Sequence, residues 1–120
     1  MAQFRTAEVK EQTVKDPQAT VEALQSENHL ESPILIGVAV NEWLNKNPDE
    51  AGEWFFKNNK NMEAAERDYS AEAFIKYGIK VGDLDAARQW AAQHSSEDKR
   101  NEYLKKIEHA AIEQKYKKDK

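Results

Sequence analysis

Apolar residues recur at spacings of three and four along most of the chain, which is the period of an amphipathic α-helix. Phe74, Tyr77 and Val81 share one helical face, and Tyr103 and Ile107 share another. No segment alternates apolar and polar residues for long enough to predict a strand. We therefore predict an all-α protein of about six helices. The predicted helices span residues 17–27, 33–45, 48–58, 62–80, 83–94 and 96–115.

Several helix starts are marked by capping residues. Asp16-Pro17, Ser32-Pro33 and Asn47-Pro48 each place a capping side chain directly before a proline. The cap accepts a hydrogen bond from a free backbone N–H, and proline suits the first helical position because an N–H there would lack a partner. Gly82 followed by Asp83 predicts a helix end and then a new cap.

The same pattern divides the chain into three parts. Residues 1–15 show weak periodicity, so we expect a loosely ordered N-terminal segment. Residues 16–115 are predicted to form one helical domain, which suits a chain of 120 residues. Residues 116–120 are rich in lysine and are expected to be a basic C-terminal tail. Such a tail is more typical of a frayed, solubilising terminus than of a phosphate-binding arm.

A short sequence unit occurs twice, at an offset of 36 residues. The segment from Asn47 to Trp54 and the segment from Asp83 to Trp90 each begin with a capping residue, continue through an acid and a small residue, and end with tryptophan. Residues 16–24 are a fainter third copy. At the same offset Gly37 matches Ala73, and small residues inside helices let a neighbouring helix approach closely. Repeats of this length are typical of stacked helical hairpins.

Over residues 33–94 this pattern resembles the tetratricopeptide-like helical repeats. The resemblance implies a short right-handed stack of antiparallel helical hairpins, and it implies binding to other proteins. The sequence departs from the family pattern because Tyr77-Gly78 reverses the usual glycine–tyrosine order and because Trp54 and Trp90 fall in second helices. A closing proline is also missing. A compact six-helix bundle is the alternative architecture.

Composition narrows the environment in which this domain works. Cysteine is absent, so disulfides, thiolate nucleophiles and cysteine-based metal sites are excluded, and a cytoplasmic location is expected. The longest apolar run, residues 34–40, is about a third of a membrane span, so no membrane association is expected. The net charge is -4, and a duplex nucleic-acid binder would normally be basic, so duplex binding is not expected.

The charge is unevenly distributed, and this supports an alternative function. Residues 1–60 contain ten acids and six bases. A small acidic inhibitor or adaptor that occupies a basic site on a nucleic-acid-processing partner would carry such an excess. Steep salt dependence of binding would favour this alternative. The acids concerned are Glu22, Glu27, Glu31, Glu42, Asp49, Glu50 and Glu53.

Motifs for catalysis, cofactors and metals are absent from the sequence. His29, His94 and His109 belong to no His-x-x-x-His, Glu-x-x-His or His-Glu-x-x-His motif. No glycine-rich phosphate loop and no Gly-x-Ser-x-Gly elbow occurs. We expect no cofactor, no metal and no enzymatic activity. A pocket that gathers His94 or His109 with carboxylates would revive the enzyme hypothesis.

The leading prediction is a non-catalytic module that binds a peptide or a partner helix. In a stack of hairpins the first helices line the inner face, so candidate contacts lie on the helices at 33–45 and 62–80. Phe55 and Phe56 follow Trp54 directly, and three consecutive residues cannot share one helical face. We expect one of these phenylalanines to be exposed and to promote binding or self-association. The candidate partner-binding residues are Asn41, Phe55, Phe56, Arg67, Lys76 and Tyr77.

Overall fold

The computed structural model describes residues 2–27 and 30–118, so His29 and the end of the basic tail lie outside the described residues. The described residues are almost entirely helical, and they contain no strand. The helices are α1 (Ala2–Lys15), α2 (Pro17–Glu27), α3 (Ser32–Lys46), α4 (Pro48–Asn58), α5 (Ala64–Val81), α6 (Leu84–Ala92) and α7 (Glu97–Lys118), with a 3-10 turn at Asn59–Asn61. The prediction of an all-α protein is confirmed, but the described chain has seven α-helices rather than six.

The additional helix is α1, in the region that the sequence predicts to be loosely ordered. Val9 is 2% exposed and Thr13 is 1% exposed, so α1 buries a narrow stripe against the rest of the protein. The Thr13 hydroxyl donates a hydrogen bond to the Val9 carbonyl at 2.6 Å, which satisfies its buried polar atom. A stripe this narrow, with a threonine in it, produces little hydrophobic periodicity, and this explains the difference.

The predicted caps form at three helix starts. The side-chain oxygens of Asp16, Asn47 and Asp83 each accept a hydrogen bond from the backbone N–H three residues later, all at 3.2 Å. Ser32 differs, since it is the first residue of α3 and Glu31 occupies the cap position. The predicted stop at Gly82 is confirmed, because Gly82 has a φ of 83° in the left-handed region that glycine adopts without strain.

Consecutive helices pack as pairs, and the first helices of the pairs also pack on each other. Contacts join α1 to α2, α3 to α4 and α5 to α6. Helix α3 also packs against both α1 and α5, and its contact with α5 is the most extensive between any two helices. Helix α7 packs mainly on α6. The resulting body is elongated, with extents of 48 × 29 × 29 Å.

Two glycines allow this close packing. A Cβ added to Gly37 in α3 would lie 3.1 Å from Tyr69 Cβ in α5. A Cβ added to Gly78 in α5 would lie 3.0 Å from Ala87 Cβ in α6. Distances this short are avoided in packed proteins, so larger side chains would push the helices apart. The prediction that a small residue at position 37 permits close approach is thereby confirmed.

The tryptophans belong to the apolar core but differ in their neighbours. Trp54 is 8% exposed, and its ring centroid lies 5.7 Å from that of Trp43. Trp90 is half-buried and stacks on Phe74 at 4.4 Å. Trp43 and Phe74 do not occupy matching positions at the 36-residue offset. The two copies of the sequence unit therefore share their caps but not their aromatic packing.

Candidate partner-binding groove

A groove with a volume of about 380 Å³ lies over α3, between α1 and α5. Because α1 and α5 each pack on α3, α3 forms the floor and the other two helices form the walls. The floor and the α5 wall both use residues at i, i+3, i+4 and i+7, which is one face of a helix over two turns, about 10 Å. The lining residues are Thr6 and Lys10 from α1, Ile34, Gly37, Val38 and Asn41 from α3, and Tyr69, Glu72, Ala73 and Lys76 from α5.

The groove combines an apolar floor with charged walls. Ile34 is 50% exposed and Tyr69 is 39% exposed, so both leave apolar surface accessible to a partner. Lys10 and Lys76 are exposed on opposite walls. Within residues 2–27 and 30–118, neither lysine has a carboxylate within ion-pair distance. Such an arrangement can bind a partner through both apolar contacts and charge.

The structure brings two of the predicted contact residues into this groove and places two others elsewhere. Asn41 and Lys76 are exposed and line it together. Arg67 is half-buried on α5 and is not among the lining residues. Tyr77 is half-buried and faces a second groove, of about 360 Å³, between α4 and α6. Asn41 and Lys76 therefore share one groove, Tyr77 faces another, and Arg67 lines neither of them.

The two phenylalanines have opposite environments. Phe56 is 71% exposed, as expected for one of the pair. Phe55 is 1% exposed and packs against Phe74 at 5.1 Å and Trp90 at 4.8 Å between ring centroids. Successive helical residues are rotated by about 100°, so the residue that follows a core position turns toward solvent. Phe55 is therefore a core residue and not a direct contact for a partner.

Reasoning from the sequence missed Lys10, Ile34 and Tyr69. Lys10 was missed because α1 was not predicted as a helix. Ile34 and Tyr69 carried a usable signal, because each stands seven residues before a candidate that was identified, Asn41 and Lys76 respectively. Residues seven apart lie on the same side of a helix.

Part of the acidic excess of the first half also gathers in one place. Glu22 from α2 and Glu50 and Glu53 from α4 line a third groove, of about 340 Å³, together with Trp54. Glu50 is oriented by the Trp43 indole N–H, which donates to its Oε1 at 3.2 Å. Other predicted acids lie elsewhere, and Glu27 pairs with Arg5 at 2.7 Å. Lys57 also lines this groove and pairs with Glu53 at 3.3 Å, so among the described residues the acids of the groove that lack an ion-pair partner are Glu22 and Glu50.

His94 sits in a buried polar cluster at the junction of α5, α6 and α7. Its side chain is 6% exposed, and its Nδ1 lies 3.8 Å from Asp68 Oδ1 while its Nε2 lies 3.9 Å from Glu72 Oε2. The Ser96 backbone N–H donates to His94 Nδ1 at 3.1 Å. A nitrogen that accepts a hydrogen bond carries no proton, so the hydrogen-bond network assigns the proton to Nε2. The lone pair that a catalytic base needs is therefore already engaged.

The rest of this cluster fastens α7 to α5. The Tyr103 hydroxyl donates to Glu72 Oε1. Burial, the hydrogen bond to Glu72 and the negative charges of Glu72 and Glu102 together raise the pKa of Tyr103 above its ordinary value. Ser95 donates to Asp68 through its backbone N–H at 3.0 Å and through its hydroxyl at 2.5 Å. These bonds give His94 and its carboxylates a structural role at a helix junction.

Comparison with protein-family models, with curated proteins and with solved structures found no match to this chain. Within residues 2–27 and 30–118, no group of three or more histidine and carboxylate side chains is arranged to hold a metal ion. None of the helices described for this chain has the length and apolar character that crossing a bilayer requires. Function is therefore inferred from the geometry of the grooves and of the His94 cluster.

Proposed function

We propose that this protein is a non-catalytic interaction module that receives a peptide or a helix of a partner protein in the groove over α3. The observation that carries this proposal is the shared lining of one groove by three helices, with accessible apolar surface at Ile34 and Tyr69 and polar side chains around it. Binding sites of this size commonly combine an apolar floor with a few placed polar groups.

We further propose that the architecture is a short right-handed stack of antiparallel helical hairpins. Its support is the side-by-side packing of α1, α3 and α5, each followed by a second helix, together with three matching caps at Asp16, Asn47 and Asp83. The different neighbours of Trp54 and Trp90 count against identical repeat units, and the compact bundle stays the alternative architecture. In such a stack the first helices present a continuous binding face.

The hydrogen bonding and the burial of the His94 ring also agree with a non-catalytic role. Its Nδ1 lone pair accepts from Ser96, and its ring is buried between two helices. A general base must reach the proton that it abstracts, and a buried and engaged imidazole does not. The cluster around His94 is therefore assigned to holding α7 in place.

The acidic groove supports a second candidate function. Glu22, Glu50 and Glu53 line one groove together with Trp54 and Lys57; Lys57 pairs with Glu53, and the remaining acids Glu22 and Glu50 favour a basic partner. The acidic inhibitor or adaptor of a nucleic-acid-processing protein would use this surface. Charge reversal at Glu22 and Glu53 would then abolish binding of the basic partner, and it would not affect a partner that binds in the groove over α3.

The proposed function is tested by partner capture from the source cell extract with matched variants. Ile34→Glu places a carboxylate on the groove floor, and it is tolerated by the helix because acids are favourable in a first helical turn. Ile112→Glu makes the same change at a residue of α7 that is 55% exposed and lies outside the groove. We expect proteins that Ile112→Glu retains to be lost with Ile34→Glu. Identical captured sets from the two variants would contradict the proposal.

A further inference from the structure

Neither lysine that lines the groove over α3 has a carboxylate within ion-pair distance among the described residues, and exposed lysines such as Lys60 and Lys105 share this state. Lys15, Lys57 and Lys99 each lie within 4.0 Å of a carboxylate on their own helix. Lys10 and Lys76 have no such neighbour among the described residues, although acids outnumber bases in the sequence. Lys10 and Lys76 therefore place two unpaired positive charges on opposite walls of this groove.

The carboxylate that lines the same groove does not neutralise these two lysines. Glu72 is the acidic residue among the described lining residues. Its Oε1 accepts from the Tyr103 hydroxyl, and its Oε2 faces His94 Nε2 at 3.9 Å. Both oxygens therefore face the buried cluster, and the side chain is 23% exposed. Glu72 consequently offsets little of the positive charge that a partner meets at Lys10 and Lys76.

The spacing of the lining residues favours a helix as the occupant of the groove. A helix that docks in a groove presents anchors at i, i+3, i+4 and i+7, and these anchors span two turns, about 10 Å. The floor and the α5 wall expose side chains over two turns, and Gly37 leaves a shallow depression between Ile34 and Asn41.

We infer that the partner segment is an acidic amphipathic helix. Its apolar face packs on Ile34 and Val38, and carboxylates on both flanks pair with Lys10 and Lys76. The Asn41 side chain lies at the end of the floor and supplies a hydrogen bond to a polar group of the same helix. This inference rests on the proposed function, because it specifies the chemistry of the partner that the groove receives.

The experiment uses a display library of helix-forming peptides in which the outward positions are randomised, selected against the full chain. Selected peptides are labelled, and their affinities are measured by fluorescence anisotropy with the wild type and with a Lys10→Glu/Lys76→Glu double variant. A Lys60→Glu/Lys105→Glu double variant is the matched control, because both lysines are exposed, lie outside this groove and change the net charge by the same amount. Chemical-shift changes at the amides of α3 and α5 locate the bound peptide.

We expect the library to yield apolar peptides rich in Asp and Glu that shift the α3 and α5 amides. Their affinity should fall tenfold or more with the groove double variant, should change less than threefold with the control, and should weaken with added salt. Peptides that bind in this groove but are neutral or basic would overturn the acidic-helix inference and leave the proposed function standing. The absence of any peptide bound at α3 and α5, or self-association of the chain through these helices in sedimentation, would overturn both.

Discussion

Gly37 of α3 lies directly against Tyr69 of α5, so that a Cβ at position 37 would stand 3.1 Å from Tyr69 Cβ and 3.3 Å from the Tyr69 carbonyl oxygen. Both atoms belong to a rigid part of α5, and neither can swing away. The most extensive helix contact of the fold therefore depends on a missing side chain, and the same contact forms the floor and one wall of the groove.

We expect Gly37→Ala to lower the free energy of unfolding by about 1 kcal/mol, because the cost of overpacking exceeds the gain in helix propensity. Gly52→Ala is the matched control, since a Cβ there meets no atom within 4 Å. It should raise the free energy of unfolding by about 0.5–1 kcal/mol, because alanine is the better helix former. Urea denaturation measures both. Equal effects of the two substitutions would contradict the close packing of α3 on α5.

The two adjacent phenylalanines should respond very differently to truncation. Phe55→Ala removes a fully buried ring and should cost about 3–5 kcal/mol, whereas Phe56→Ala should cost less than about 0.5 kcal/mol. Phe55→Leu retains much of the buried volume and should cost about 1.5 kcal/mol or less, which keeps a folded variant in the series. Denaturant midpoints rank the three proteins. A larger loss for Phe56→Ala than for Phe55→Ala would reverse the assignment of core and surface.

Loss of a helix cap should be measurable at the start of α6. Asp83→Ala leaves the Ala86 N–H without its side-chain acceptor and should lower the free energy of unfolding by about 0.5–2 kcal/mol. Asp85→Ala is the comparison, because Asp85 is an exposed residue of the same turn and pairs with Arg88 on the surface. An exposed pair of this kind contributes little, so Asp85→Ala should cost less than about 0.5 kcal/mol. Thermal or urea unfolding that ranks Asp85→Ala as the more damaging change would refute the cap.

Tyr103 makes folding sensitive to alkaline pH. Its pKa is raised in the folded state above the unfolded value of about 10, so the folded state holds the phenolic proton more tightly. The corresponding stability is fully present below about pH 10 and is lost as the pH rises toward the folded-state pKa. Tyr103→Phe should therefore flatten the decline of the free energy of unfolding above pH 10.

The same substitution removes the hydrogen bond to Glu72, and this should cost about 1–2 kcal/mol at neutral pH. Tyr116→Phe is the control, since Tyr116 is 68% exposed. Urea unfolding of the three proteins between neutral pH and pH 11 gives both quantities. Parallel pH profiles for the wild type and Tyr103→Phe would exclude a role for Tyr103 in the alkaline loss of stability.

The helices after residue 15 could be predicted closely because capping residues in the sequence mark where they start. The bounds of α2 and α4 agree with the prediction, and the caps at Asp16 and Asn47 explain why these helices start where they were predicted to start. Helix α1 could not be predicted, because its stability comes from contacts of Val9 and Thr13 with distant parts of the chain. Hydrophobic periodicity in a sequence reveals a broad apolar face of a helix, and it does not reveal a buried stripe as narrow as that of α1.

The groove was predicted only in part, for a different reason. Asn41 and Lys76 follow from their place on first helices, and the structure brings them together. Which residues stand beside them depends on the rotation of each helix about its axis, and this is set by packing at positions such as Gly37. That rotation also separates Tyr77 from the predicted set. Single contact residues can therefore be predicted from the sequence, but tertiary packing determines which of them lie together in the groove.

Helix α1 supplies one wall of the groove and packs mainly on α2 and α3, whereas α3 packs on four helices. The contacts of α1 include the buried pair Val9 and Thr13, the Arg5–Glu27 ion pair and a bond from the Lys46 ammonium to the Val14 carbonyl. A segment held in this way opens at a lower free energy than the core, and each opening removes Lys10 from its place. Apparent affinity then equals the intrinsic affinity multiplied by the fraction of molecules with α1 closed. Substitutions at the buried positions of α1 would therefore change the apparent affinity, although these residues do not contact the bound peptide.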